Sequence, residues 1–250
     1  MKIFKLMMIA LVAMIGFNSC SEDCDYNYIE HDFTQDIVGT WTFVEDDLAE
    51  AMVIKADGSF TTTGVARGGS LYEEKGTIKV VNNKVSLVFE GDTEVTEGRL
   101  ELVAGKSLSI VINEEYDIRL TYDYCANDLS DEIVGMWGCT DAPTTSGESM
   151  IVHTFMDNGK AIYTGFGTYS NEYIVNKETT YEVVGDLLFY ASPQDNLEEG
   201  APSYITKKMT YKPNGTAYGD IMEEKVVMSG VELTSTMLRI KQSLDFTGKV

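Results

Sequence analysis

Between residues 36 and 125 apolar and polar side chains alternate in short runs, the period of a strand that buries one face. Val85, Leu87 and Phe89 share one face, and Ile118, Leu120 and Tyr122 repeat the pattern. Eight such segments are legible, at 38–45, 51–56, 58–64, 71–81, 84–90, 94–103, 107–113 and 115–123. Asp57-Gly58, Asn82-Asn83 and Ala104-Gly105 separate them with the residue types that tight turns require. No segment here carries a convincing helical period. Short strands joined by tight turns predict an antiparallel up-and-down meander. Its natural closure is a barrel, because closing removes the exposed edges; a flattened, sandwich-like barrel is the alternative.

The pattern then starts again. Asp36-Ile37-Val38-Gly39-Thr40-Trp41 recurs as Glu132-Ile133-Val134-Gly135-Met136-Trp137, and the 2 tryptophans of the chain occupy the matched position. Ala56-Asp57-Gly58-Ser59-Phe60 answers Asp157-Asn158-Gly159-Lys160-Ala161, each a hairpin signal between alternating runs. Thr77-Ile78-Lys79-Val80-Val81 answers Thr180-Tyr181-Glu182-Val183-Val184, and Gly98-Arg99-Leu100-Glu101-Leu102 answers Gly230-Val231-Glu232-Leu233. The expected architecture is all-β: two tandem small antiparallel barrels at 36–125 and 132–250, joined by the short polar stretch 126–131. Two separately folding halves would follow. The second has longer loops, notably 192–203, and a domain as short as the first has little core to spare for a large cavity.

A Gly-x-Trp at the entry to the first strand of an eight-stranded meander resembles the lipocalin signature. More closely, the two halves are similar to the short lipocalin-like domains of Bacteroidetes lipoproteins. The resemblance implies a barrel with Trp41 or Trp137 packed at its closed end, beside Gly39 or Gly135, and a mouth for a small molecule opposite. It also implies a late-strand arginine stacked on the tryptophan, for which Arg119 and Arg239 are the candidates; in the repeat alignment Arg239 answers Ser109.

The first nineteen residues read as a processing segment. Lys2 and Lys5 form a positive start, and Leu6 to Phe17 is an apolar run too short to span a bilayer. It ends at Phe17-Asn18-Ser19-Cys20, which looks like a bacterial lipoprotein signal of the looser Bacteroidetes kind. Cys20 would then be lipidated and become the N-terminus. Ser21-Glu22-Asp23 and Asp25 resemble the acidic tag that sends such lipoproteins to the cell surface. Residues 20–35 are thus an acidic tether, and the expected place is the outer membrane, held by acyl chains.

Charge changes the picture once. The chain has 19 Lys+Arg against 40 Asp+Glu, a net charge of −21. Without Lys2 and Lys5 it is more acidic still. Phosphate recognition needs clustered cations, so no nucleic-acid partner is expected, and an anionic lipid surface would repel the chain.

Candidate chemistry is sparse. Of the 4 cysteines, three remain after lipidation of Cys20, enough for one bridge. In a closed barrel the last strand returns beside the first, which favours Cys24–Cys125; Cys125–Cys139 would instead clip the joint. The 2 histidines, His31 and His153, are far apart, with no metal-ligand spacing, so neither metal nor cofactor is expected. There is no nucleophile motif with an identifiable base, which points away from an enzyme. The acidic pairs read as solvated turns. The lipocalin resemblance implies non-catalytic binding of a small apolar or amphiphilic ligand, which Ile162, Tyr181, Val183, Leu188 and Tyr190 would line in the second barrel. The alternatives are a solid-barrel module that docks a protein partner and an accessory glycan-binding surface lipoprotein. Both tryptophans are expected in cores, which leaves the glycan reading without its usual stacking platform.

Overall fold

The computed structural model describes residues 32–45, 48–66, 69–113, 118–139, 148–167, 173–191, 203–216, 219–228 and 231–240. Residues 1–31, with Cys20 and Cys24 among them, lie outside the described residues. Eight strands form the first barrel: β1 (Gly39–Glu45), β2 (Leu48–Ile54), β3 (Ser59–Val65), β4 (Leu71–Val81), β5 (Lys84–Phe89), β6 (Thr96–Val103), β7 (Ser107–Asn113) and β8 (Ile118–Cys125). Each overlaps one of the eight sequence segments. They pair antiparallel in chain order, and β8 closes on β1 through Trp41 opposite Tyr124.

The second barrel repeats the plan with β9 (Gly135–Cys139), β10 (Glu148–Phe155), β11 (Lys160–Gly167), β12 (Tyr173–Val184), β13 (Leu187–Ala191), β14 (Tyr204–Thr216), β15 (Gly219–Met228) and β16 (Val231–Arg239). Closure here places Arg239 of β16 opposite Trp137 of β9. This corrects the repeat alignment. Gly98–Leu102 lies on the sixth strand of its barrel and Val231–Leu233 on the eighth, so Arg239 answers Tyr124 and not Ser109. An alternating run is common to every strand and cannot index which strand it belongs to.

The repeated hexapeptide builds the floor of each barrel in the same way. Ile37 and Ile133 are fully buried, and their carbonyls accept the indole N–H of Trp41 at 2.8 Å and of Trp137 at 2.6 Å. Each tryptophan thereby enters its core with its one polar atom satisfied. Gly39 and Gly135 precede them with φ of 144° and 133°, a backbone region that side chains rarely adopt. A Cβ on Gly39 would also come within 2.9 Å of the Tyr124 ring. Beneath the first barrel a single 3-10 turn, Phe33–Ile37, packs Phe33 on the core, so ordered packing starts ahead of residue 36.

The joint between the barrels is not a free linker. Leu129 is buried in the second core, and its N–H donates to the Gly185 carbonyl at 2.9 Å. The barrels also share an apolar cluster of their own. Leu187 and Phe189 on β13 pack with Ala49 and Ala51 on β2 and Val65 on β3. All five residues of β13 are buried, because Leu188 and Tyr190 point into the barrel while their neighbours face the other barrel. The Tyr204 N–H adds a 2.7 Å hydrogen bond to the Gly69 carbonyl.

Candidate functional site

Charged residues at inward positions mark where each barrel departs from a plain apolar core. In the first barrel the inward face of β2 runs Glu50, Met52, Ile54, and that of β4 runs Tyr72, Glu74, Gly76, Ile78. Glu50 is 4% exposed and both of its oxygens are used: the Tyr72 hydroxyl donates to Oε2 at 2.6 Å and the Tyr122 hydroxyl to Oε1 at 2.5 Å. Gly64 makes room, since a Cβ there would stand 2.4 Å from the Tyr72 hydroxyl. Burial pushes the Glu50 carboxyl up to about 7, against the two tyrosine hydrogen bonds that lower it and with a smaller push from buried Glu74. Glu50 finds its partners within the chain, and buried Glu74 and Thr62 share the inward face with the aliphatic and aromatic side chains of the first core.

The second barrel is stacked in layers. Its floor holds Trp137, Phe155, Leu188, Met209, Met222 and Met237, all essentially buried. One inward position further from the floor on these six strands gives Cys139, His153, Tyr190, Lys207, Glu224 and Ser235. This layer is polar. Lys207 Nζ lies 2.6 Å from Glu224 Oε2, which also accepts from the Ser235 hydroxyl at 3.2 Å. The Lys207 ammonium stands 5.6 Å from the centre of the Tyr190 ring. His153 stacks on Phe155 at 5.8 Å and meets the edges of Tyr163 and Tyr190 at 5.4 and 5.5 Å.

Three atoms of this layer have no hydrogen-bond partner among the described residues: His153 Nδ1, Tyr190 Oη and Glu224 Oε1. Their residues are 6%, 3% and 1% exposed. Leaving such groups unmatched costs on the order of 1–3 kcal/mol each, so their concentration in one layer is a feature to explain. Burial lowers His153 to about 4, with Lys207 lowering it further and Glu224 opposing. The imidazole is therefore neutral at pH 7, and the layer holds one positive and one negative charge. Burial raises Tyr190 as well, keeping its hydroxyl protonated.

The residues expected to line a ligand site divide between two faces. Tyr181, Val183, Leu188 and Tyr190 belong to the second core. Ile162 does not: its neighbour Ala161 is in that core, and strict alternation puts Ile162 on the outer face. Leu188 lies in the solid floor, and Tyr190 alone of the five reaches the polar layer. His153, Lys207 and Glu224 were legible as charged or polar residues at the inward parity of otherwise apolar strands. No metal or catalytic spacing accompanies that signal in the sequence.

Of the two arginines, Arg239 stacks on Trp137, its guanidinium 4.7 Å from the ring centre, and donates to the Glu132 carbonyl. Arg119 instead pairs with Glu101 on the exposed surface, and Tyr124 covers Trp41 edge-on at 5.2 Å. Trp41 and Trp137 are too buried to stack on a sugar. The Cys125 thiol donates to the Asn127 carbonyl at 3.0 Å and is not bridged to Cys139, while Cys24, the partner in the other expected bridge, lies outside the described residues. Its sulfur faces Gly185 at the barrel junction, where a Cβ would approach it to 2.8 Å. No group of metal-ligating side chains is found among the described residues. Compared with known protein families and with curated proteins, the sequence matches none.

Proposed function

We propose that this chain is a non-catalytic envelope lipoprotein, anchored through Cys20 at the outer membrane and facing the cell exterior. In this reading the second barrel binds a small amphiphilic molecule, and the first is its solid support. The observation that carries it is the set of buried, unpartnered atoms on His153, Tyr190 and Glu224. The first barrel's Glu50, by contrast, is matched within the chain. A ligand bound here would sit above the methionine floor, on the side away from Trp137, the end at which a lipocalin-like barrel opens.

Native mass spectrometry of the chain secreted with Cys20→Ser tests this. A discrete added mass that disappears in Glu224→Ala is the expected result. A clean apo mass, together with a higher melting temperature for Tyr190→Phe, would mean the layer is only an imperfect core, and the reading would fail. For the anchor, labelled palmitate should enter the wild-type chain in a bacterial host and not Cys20→Ser.

The fully packed floors favour one other reading, a pair of solid barrels that dock a protein partner. A glycan-binding role draws less support, because neither tryptophan is available.

A further inference from the structure

The polar layer of the second barrel also specifies what kind of head group it would take, given the reading of that barrel as a binding site. Glu224 Oε1 can only accept, so the ligand must donate there. The Tyr190 hydroxyl and the neutral His153 imidazole can each donate or accept, which suits a group that does both. Lys207 and Glu224 already neutralise each other at 2.6 Å. A ligand carboxylate would place a second negative charge beside a 1% exposed glutamate, and a ligand ammonium a second positive charge beside Lys207. Either leaves an uncompensated charge out of water, the costly arrangement. Around the polar atoms stand the rings of Tyr163 and Tyr190 and the apolar Ile205, which offer flat apolar contact.

We infer that the second barrel binds an uncharged, hydroxylated head carrying adjacent donor and acceptor groups, a diol, next to an apolar chain or ring face. Hydroxyls meet Glu224, Tyr190 and His153 together, and no ion is buried without its counter-ion. Two sources share this chemistry, the glycerol head of a monoacylglycerol and the hydroxyls of a pyranose.

Titration calorimetry of the Cys20→Ser chain with 1-monodecanoylglycerol, decanoate, decyltrimethylammonium and methyl glucoside tests the inference below their aggregation limits. The monoacylglycerol should bind at least about tenfold more tightly than decanoate or the ammonium. Binding of the glucoside in its place would keep the head-group assignment and make a sugar the source. Glu224→Gln leaves Lys207 as the one charge of the layer, so it should weaken the monoacylglycerol and strengthen decanoate. Tyr190→Phe should weaken the diol without gaining decanoate, a second variant should Glu224→Gln not fold. Decanoate bound as tightly as the monoacylglycerol by the parent chain would overturn the diol assignment while leaving the barrel a binding site. No heat with any of the four would overturn it too, and an added mass in the native spectrum would then show whether the binding reading survives.

Discussion

Two buried titratable residues should give this protein opposite pH responses in its two barrels. Glu50 is raised from an ordinary 4.5 to about 7 in the folded chain. The folded state therefore holds its proton more tightly, and stability present below pH 4.5 is lost as pH rises towards 7. His153 is lowered from 6.5 to about 4, so its contribution is present above pH 6.5 and is lost as pH falls towards 4. Between about pH 4.5 and 6.5 the two slopes oppose each other, each worth on the order of 3 kcal/mol over its window. Relative to the parent, Glu50→Gln should make the melting temperature climb more steeply with pH across that range. His153→Phe should make it climb less. Parallel curves for all three would show that neither group titrates as its burial requires. The floor makes a separate prediction: Trp137→Phe leaves the Ile133 carbonyl without its donor and a gap in the core. It should cost about 2–3 kcal/mol by urea denaturation.

Among the elements, β13 does the most with the fewest residues. A strand exposed on one face alternates in sequence, but Leu187-Leu188-Phe189-Tyr190-Ala191 does not, and the structure gives the reason: both of its faces are covered. Leu188 and Tyr190 serve the barrel interior, whereas Leu187 and Phe189 serve the contact with the first barrel. Leu188→Ala and Phe189→Ala should each destabilise the chain by roughly 2–5 kcal/mol. Their modes of failure should differ. Leu188→Ala weakens the second barrel itself, while Phe189→Ala should loosen the contact and leave each barrel's own core intact.

At the scale of the whole molecule, the shared cluster and the Tyr204–Gly69 hydrogen bond couple the barrels, and the Leu129–Gly185 bond ties the joint to the second barrel. The intact chain should melt as one calorimetric transition. Phe189→Asp, which buries a charge in the contact, should split that transition into two. Cleavage at 127–131 should lower the stability of both halves, because each then exposes the apolar face that the other covers. Two transitions already in the intact chain would mean that the contact contributes little.

Alternation, turn residues and the repeated Ile-Val-Gly-x-Trp were enough to determine the all-β class, the eight strands of the first unit, the repetition of that unit and the burial of both tryptophans. Each of these is a local or near-local demand: a period of two, a positive φ, an indole that must hide its rings. The side assignments followed wherever the alternation was clean, and failed for Ile162, an apolar residue on the outer face that carries no sequence mark of which way it points. Register, closure and the docking of one barrel on the other were decided only in three dimensions. Those depend on which strands meet, and every strand has the same period. The polar layer is intermediate. Lys207 and Glu224 could be seen at core parity in the sequence, but that they pair, and that they do so beside His153 and Tyr190, required β10, β13, β14 and β15 to be wrapped around one axis.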